Sequence, residues 1–209
     1  FSASVHSAGD QDLDGYDDLR VAFGSWPFRI QVYAGGSFQS LHPLLLEITD
    51  AAHALNPDGP CTGFGSSIAT LDDVTGDGVP DHAVGAPFAG HGSGHGPGHG
   101  SGQPNGRIHV FDGATGAVLW PRGGSTWRFG TSAAAAGDHD GDGACDLLVG
   151  GPGYIGSLSG GQQDDVPPSG SVSLLSGATG ERLALFRGAF HFDAFGHRVA
   201  AIGDTNGDG

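Results

Sequence analysis

The sequence contains no methionine and no lysine, and only two of its 209 residues are cysteines. Without a methionine, the chain has no native start, and it ends inside a motif at Asp208-Gly209. We therefore expect both ends to continue into a longer protein. The two cysteines, Cys61 and Cys145, define no disulfide framework. Two unpaired thiols are favoured over a disulfide between neighbouring repeats.

Positive charge is also scarce. All basic residues are arginines, eight of them against 23 Asp and Glu, and the net charge is −15. Nucleic acids and anionic membranes need a basic surface, so neither is an expected partner. The chain also lacks any stretch of about 18 apolar residues, so we expect no membrane insertion within it.

Glycine is abundant, with 41 residues, while hydrophobic residues still make up 37% of the chain. This apolar content is too high for a disordered segment. Many glycines between short apolar runs indicate short strands joined by turns.

A repeat of about 65 residues runs through the whole chain. Its copies begin at Phe1, Phe64, Phe129 and Phe195, in steps of 63, 65 and 66 residues. An aspartate follows nine residues after each phenylalanine, and a small or branched apolar residue follows four residues after it. This constant spacing predicts one structural unit per copy.

Each full copy predicts four short strands. An apolar run such as Leu147 to Pro152 follows the acidic loop, and an alternating run such as Arg107 to Phe111 leads into a Gly-Ala-Thr-Gly turn. A last short strand ends the copy. The expected fold is all-β, a β-propeller fragment of three four-stranded blades and the first strand of a fourth. The expected boundaries are 1–63, 64–128, 129–194 and 195–209, with a His/Gly-rich loop at 89–106.

The acidic loops share one pattern. The loops at 10–18 and 138–146 fit DxDxDGxxD, while the loop at 73–81 has Thr75 in place of the second acid. A fourth loop begins at Asp204 and is incomplete at Gly209. A merely solvated acidic turn would explain one such loop, but not four in register.

Calcium is the cation that suits these loops. It takes six to eight oxygen ligands, and alternate carboxylates of a tight turn can converge on one point. An EF-hand would place a glutamate at position twelve between two helices. Here that position is Val21, Val84 or Val149, each in a strand-like run. The loop therefore joins two strands, which excludes an EF-hand.

Phe-Gly at the start, the acidic loop nine residues on, and the Gly-Ala-Pro of copy two together resemble the FG-GAP repeat. The chain is similar to the propeller of integrin α-chains and to secreted bacterial FG-GAP proteins. Copy one departs from the pattern, since it has Phe1-Ser2, lacks Gly-Ala-Pro and carries a longer tail. The resemblance implies side-chain oxygen ligands at Asp10, Asp12, Asp14, Asp18, Asp73, Thr75, Asp77, Asp81, Asp138, Asp140, Asp142 and Asp146. It implies backbone carbonyl ligands at Tyr16, Val79 and Ala144, and a partial fourth set at Asp204, Asn206 and Asp208.

Three other features have ordinary interpretations. His91, His95 and His99 could bind a transition metal, but their Gly-rich surroundings favour a flexible surface loop. The GxGxxG match at 151–156 is not followed by a helical pattern, so a dinucleotide site is not expected. Trp26, Trp120 and Trp127 could form a ligand platform, although packing between blades is favoured.

The expected function is that of a calcium-binding extracellular module for binding or adhesion. It would be secreted or displayed at the cell surface, with a protein or carbohydrate ligand. No GxSxG elbow and no Cys-His pairing are evident, so the chain is not expected to be an enzyme. The alternative is an accessory propeller of a larger secreted hydrolase whose catalytic residues lie elsewhere. A catalytic propeller with its site at the central channel is less favoured.

Overall fold

The computed structural model describes residues 3–23, 29–36, 43–49, 63–89, 106–153, 170–190 and 193–203. Within them the chain forms three antiparallel sheets of four strands, each in simple up-and-down order. These sheets are the blades of a β-propeller, as the sequence predicted. Blade 1 contains β1 (Ala3–Gly9), β2 (Asp18–Phe23), β3 (Arg29–Tyr33) and β4 (Leu44–Thr49). Blade 2 contains β5 (Ile68–Thr70), β6 (His82–Ala86), β7 (Arg107–Phe111) and β8 (Val118–Gly123), and blade 3 contains β9 (Ser132–Gly137), β10 (Asp146–Gly151), β11 (Ser171–Leu175) and β12 (Arg182–Arg187).

Blade 1 is complete, as expected for a full copy, because Leu44–Thr49 in the long tail of copy one pairs with β3 as the fourth strand. The run Leu44 to Ile48 is rich in aliphatic residues, which favour a strand. One detail differs from the sequence-based expectation. In the fourth copy, residues 193–203 contain a turn but no strand. A first blade strand needs a second strand beside it for its hydrogen bonds, and none of the described residues supplies one.

The apolar cores lie between blades rather than within them. One cluster joins Ala22, Ile30 and Ile48 of blade 1 to residues of blade 2. A second cluster joins the buried residues of β5, β6 and β7 to those of β10 and β11. A single blade therefore cannot bury its own apolar faces, and neighbouring blades must stack to do so.

The phenylalanine that opens each repeat anchors these cores. Phe64 and Phe129 are each only 3% exposed, and each lies in a cluster shared by two blades. The ring of Phe64 packs edge-on against Phe111, with centroids 5.9 Å apart. Phe195, the corresponding residue of the fourth copy, is 40% exposed. The anchor is thus buried only where the described residues include blades on both sides of it.

A glycine contact fixes the distance between blades 2 and 3. The Gly130 N–H donates to the Gly150 carbonyl of its own blade at 3.0 Å. The Gly130 carbonyl in turn accepts the Ser67 hydroxyl of blade 2 at 2.8 Å. A Cβ on Gly85 would overlap that same carbonyl oxygen. Gly85 is therefore needed for the close approach of the two backbones, rather than for its own conformation.

We predict that Gly85→Ala destabilises the protein by about 1–3 kcal/mol, because the added methyl group must push the two blades apart. Gly123→Ala is the matched control, since Gly123 also lies in a strand and a Cβ there would meet no atom within 4 Å. Thermal melts of both variants would measure the difference. Equal melting temperatures would contradict the role given to this contact.

His109 of β7 gives the fold a dependence on pH. It lies in the blade 1–blade 2 junction, 3% exposed, with its ring centroid 6.1 Å from that of Phe64. Burial, with a smaller contribution from Arg107, lowers its pKa from 6.5 to about 4. Between these two values the unfolded chain binds a proton that the folded protein excludes. The free energy of unfolding should therefore fall as the pH drops through this window, and be insensitive to His109 above it.

We predict that His109→Leu reduces the slope of stability against pH between about 6.5 and about 4. The expected reduction is about 1.4 kcal/mol per pH unit at most, the value for one proton. His197→Leu is the control, because His197 is exposed. Denaturant unfolding in chelator at a series of pH values measures both slopes. An unchanged slope in His109→Leu would refute the assignment.

Candidate metal sites in the acidic loops

The three complete acidic loops occupy the same place in their blades. Each connects the first strand of its blade to the second, in the antiparallel pairs β1–β2, β5–β6 and β9–β10. The loops therefore lie at equivalent ends of the three sheets. This placement follows from the position of each loop between two short apolar runs.

Two of the loops bring three carboxylates together. In the first loop, one oxygen from each of Asp10, Asp12 and Asp18 lies within 4.8 Å of the others. In the third loop, Asp138, Asp140 and Asp146 form the same group. These are positions one, three and nine of the motif. Three converging carboxylate oxygens, with no nitrogen or sulfur donor among them, fit a hard divalent cation such as calcium.

The first aspartate of each loop organises the backbone around it. Asp138 accepts hydrogen bonds from the N–H groups of Gly141 at 2.7 Å and Gly143 at 2.9 Å. The N–H of Gly143 is the main reason that the pKa of Asp138 is held below its usual value. Gly143 adopts a φ of 91°, which favours glycine at position six. The loop thus reaches its turned shape through its own hydrogen bonds.

The aspartate at position five behaves differently. Asp14, Asp77 and Asp142 each accept the N–H of the residue two positions further on, at 2.8 to 2.9 Å. None of these three belongs to a carboxylate group described above. Their role as ligands stays a prediction, as does that of the carbonyls of Tyr16, Val79 and Ala144.

The aspartate at position nine is the most buried residue of each loop. Asp18, Asp81 and Asp146 are 1%, 0% and 0% exposed. The Asp146 carboxylate accepts the His139 N–H of its own loop at 2.8 Å and the Gly177 N–H of the β11–β12 turn at 3.1 Å. One carboxylate thus ties the acidic loop to the β11–β12 turn at the same end of the sheet. The same bonds recur in blade 2, from Val74 and Gly113 to Asp81, and in blade 1, from Gln11 and Gly35 to Asp18.

Sequence reasoning missed the glycines that complete this arrangement. A Cβ on Gly35, Gly113 or Gly177 would overlap the carbonyl oxygen of the residue just before the position-nine aspartate. For Gly113 and Gly177 the signal was present as the first glycine of Gly-Ala-Thr-Gly. That motif was interpreted only as a tight turn, and its contact with the acidic loop was not foreseen.

The second loop differs from the other two at position three. The Thr75 hydroxyl donates to Asp73 at 3.2 Å, and this loop contains no group of three carboxylates. Its aspartate at position one still accepts the N–H groups of Gly76, Asp77 and Gly78. The loop shape is therefore kept while the negative charge is reduced.

Crowding of like charges favours a cation in the first and third loops. The pKa of Asp12 is raised by desolvation and then by its neighbours Asp14 and Asp18. The pKa of Asp146 is raised by its burial, and additionally by Asp140 and Asp142. A bound divalent cation would relieve this repulsion.

Several predicted residues lie outside the described part of the chain. These are the fourth loop with Asp204, Asn206 and Asp208, the cysteine Cys61, the histidines His91, His95 and His99, and Trp26. Cys145 carries a free thiol. Trp120 packs between blades as expected, with its indole N–H donating to the Gly177 carbonyl at 2.8 Å.

The fold and the loops define a class of protein, a β-propeller whose blades carry acidic loops between their first two strands. The FG-GAP repeat family model matches residues 64–111. Integrin alpha-5 of Xenopus laevis is 33% identical over 72% of this chain and 14% of its own length. Phosphatidylinositol-glycan-specific phospholipase D of Rattus norvegicus is 33% identical over 71% of this chain and 18% of its own length. Integrin alpha-7 of Homo sapiens is 29% identical over 69% of this chain and 12% of its own length.

The chain is an FG-GAP repeat protein that resembles the propeller of integrin α-chains. It spans less than a fifth of the length of each curated relative named above. Among the described residues, no helix has the length and apolarity needed to cross a membrane.

We predict that Asp146→Asn destabilises the protein by about 1–3 kcal/mol even in chelator, because an amide cannot accept two backbone N–H groups through two oxygens. Asp142→Asn is the matched control. Asp142 is exposed, and among the described residues its carboxylate accepts the Ala144 N–H alone, which the amide oxygen of asparagine can still accept. Urea unfolding of both variants in chelator tests this difference. Equal stabilities would show that Asp146 does not brace the loop.

Proposed function

We propose that this chain is a calcium-binding extracellular propeller module that mediates binding or adhesion and has no catalytic activity of its own. The observation that carries the proposal is the pair of three-carboxylate groups at equivalent ends of blades 1 and 3. The integrin relatives support the binding role, and free calcium outside cells is high enough to fill weak, all-oxygen sites.

In this proposal the cation is held by Asp10, Asp12 and Asp18 in the first loop, and by Asp138, Asp140 and Asp146 in the third. Calcium would supply a fixed positive charge that holds the loop closed. It would stabilise the folded blade by mass action, because the ligands converge only in the folded state. Asp14 and Asp142, with the carbonyls of Tyr16 and Ala144, are proposed to complete the two shells.

The second loop is proposed as a third and weaker calcium site. Asp73, Asp77 and Asp81 would supply the charge, with Thr75 and the Val79 carbonyl as neutral oxygens. Calcium affinity depends on the number of charged ligands, so one carboxylate fewer weakens the site. The partial loop at Asp204, Asn206 and Asp208 is expected to bind weakly or not at all.

We predict that calorimetric titration of metal-free protein counts about three calcium ions per chain. The site in the second loop should have a lower affinity than the sites in the first and third loops. Thr75→Asp completes the second loop and should raise the affinity of this weaker site, since it adds a carboxylate at the missing position. Asp142→Ala should remove or weaken one of the two tighter sites. It should therefore reduce the increase in melting temperature that calcium produces.

His95→Ala is the control for this titration, because the His/Gly-rich loop is proposed to bind no calcium. Absence of calcium uptake at millimolar concentration would refute the proposal. A loss of calcium binding in His95→Ala would show that the metal site had been assigned to the wrong part of the chain.

The second candidate function is an accessory propeller of a larger secreted hydrolase. One specific observation supports it, the 33% identity to a phosphatidylinositol-glycan-specific phospholipase D. Both candidates place the chain outside the cell and leave it without catalysis of its own. The coding sequence on either side of this chain in its gene distinguishes the two candidates. An adjoining catalytic domain would favour the accessory role, and an adjoining membrane anchor would favour adhesion.

The binding role is tested directly by immobilising the calcium-loaded chain and probing it with extracellular matrix proteins and with a glycan array. Binding that is abolished by chelator and restored by calcium supports a calcium-dependent binding module. Equal binding in the two conditions would separate the ligand site from the acidic loops and overturn the proposed link between them.

A further inference from the structure

A small pocket opens between blades 2 and 3, away from the acidic loops. Its volume is about 160 Å³. One wall is formed by Arg122, Gly123 and Ser125 at the end of β8, and the other by Ser173 of β11 and Arg182 of β12. At about 30 Å³ per water molecule, this is the space of roughly five waters, enough for a carboxylate group and part of a small ring.

The base of the pocket is apolar and belongs to the blade 2–blade 3 core. Phe129 and Leu175 both line it, and they are 3% and 1% exposed. Both are members of the same buried cluster, so the base is held in place by close packing. The pocket therefore has a rigid floor, and the groups that a ligand can reach are mainly the polar ones.

The opening of the pocket depends on Gly123. A Cβ at this position would meet no atom within 4 Å. The space at this wall is therefore open because residue 123 has no side chain. Gly123 also adopts no left-handed backbone conformation, so larger residues fit the backbone there without strain. A side chain at position 123 is thus a direct means of filling the pocket.

The polar groups of the pocket are cationic and unpaired. Among the described residues, the guanidinium groups of Arg122 and Arg182 make no hydrogen bond and no ion pair. The hydroxyl groups of Ser125 and Ser173 likewise have no partner in that part of the chain. Two of the eight arginines of a chain with a net charge of −15 thus line one small pocket without a counter-charge.

This lining matches an organic anion. Guanidinium groups bind carboxylates through charge-assisted hydrogen bonds, and hydroxyl groups can both donate to and accept from a sugar. The strongly negative chain would repel a long polyanion from most of its surface. A ligand with a single negative charge is repelled much less, and it is therefore favoured over an acidic polymer.

We propose that this pocket binds a small sugar acid through its single carboxylate. Arg122 and Arg182 bind the carboxylate from the two blades. Ser125 and Ser173 bind hydroxyl groups of the sugar, above the buried Phe129 and Leu175. Because the arginines belong to different blades, the ligand also holds blades 2 and 3 together. The site shares no residue with the acidic loops, so it does not depend on the proposed calcium function.

The test is a calorimetric titration of the whole calcium-loaded chain with glucuronate, with glucose and inorganic sulfate as comparison ligands. We expect glucuronate to bind more tightly than either, and its affinity to fall with added salt. Arg122→Ala and Arg182→Ala should each weaken glucuronate roughly tenfold, as expected for a lost charge-assisted hydrogen bond. Gly123→Leu should abolish binding by filling the pocket.

Arg187→Ala is the matched control, because Arg187 lies on β12 but does not line the pocket. It should leave glucuronate affinity unchanged, and thermal melts should show that Gly123→Leu remains folded. Equal binding of sulfate and glucuronate would overturn the proposal in favour of a simple inorganic-anion site. Tighter binding of an aspartyl peptide than of glucuronate would overturn it in favour of an acidic protein partner. No binding, or binding unaffected by the two arginine variants, would refute it outright.

Discussion

The buried carboxylate at position nine of each acidic loop is the interaction on which each blade depends. Asp81 accepts hydrogen bonds from its own loop at Val74 and from the adjacent β7–β8 turn at Gly113. An anion without water around it is costly unless backbone N–H groups surround it, and here they come from two separate segments. The strands of a blade, the shape of its loop and the close packing of its turn glycine are thereby fixed together.

This arrangement separates loop shape from loop charge. The shape depends on the first and ninth aspartates and on the position-six glycine, which all three loops retain. The charge depends on position three, where Asp12 and Asp140 are replaced by Thr75 in blade 2. Blade 2 accordingly keeps the same internal hydrogen bonds but lacks the group of three carboxylates. A blade can therefore lose cation affinity without losing its fold.

The architecture could be predicted from the sequence because its signals are local and repeated. Alternating runs such as Arg107–Phe111 and the in-register aspartates identify strands and loops without knowledge of distant contacts. The residues of the fourth strand of blade 1 were not located in advance, because copy one departs from the other copies there. The contacts of Gly113 and Gly177 with the acidic loops were also missed, because they join segments about 30 residues apart, and no spacing rule relates the two. The convergence of positions one, three and nine is visible in the structure. The part of the aspartate at position five, which accepts a backbone N–H in each loop, stays a prediction.

The repeat of the sequence and the repeat of the packing are out of phase. Phe129 opens the third copy, yet its ring is buried in a core shared with blade 2, and Gly130 accepts a hydrogen bond from the same blade. A stretch of one repeat length taken from the second and third copies therefore carries one phenylalanine anchor and one glycine, Gly85 or Gly150, that allows the backbone of the next copy to approach. Duplication or loss of such a stretch in the gene would preserve every junction. The number of blades can thus change during evolution without the invention of a new interface.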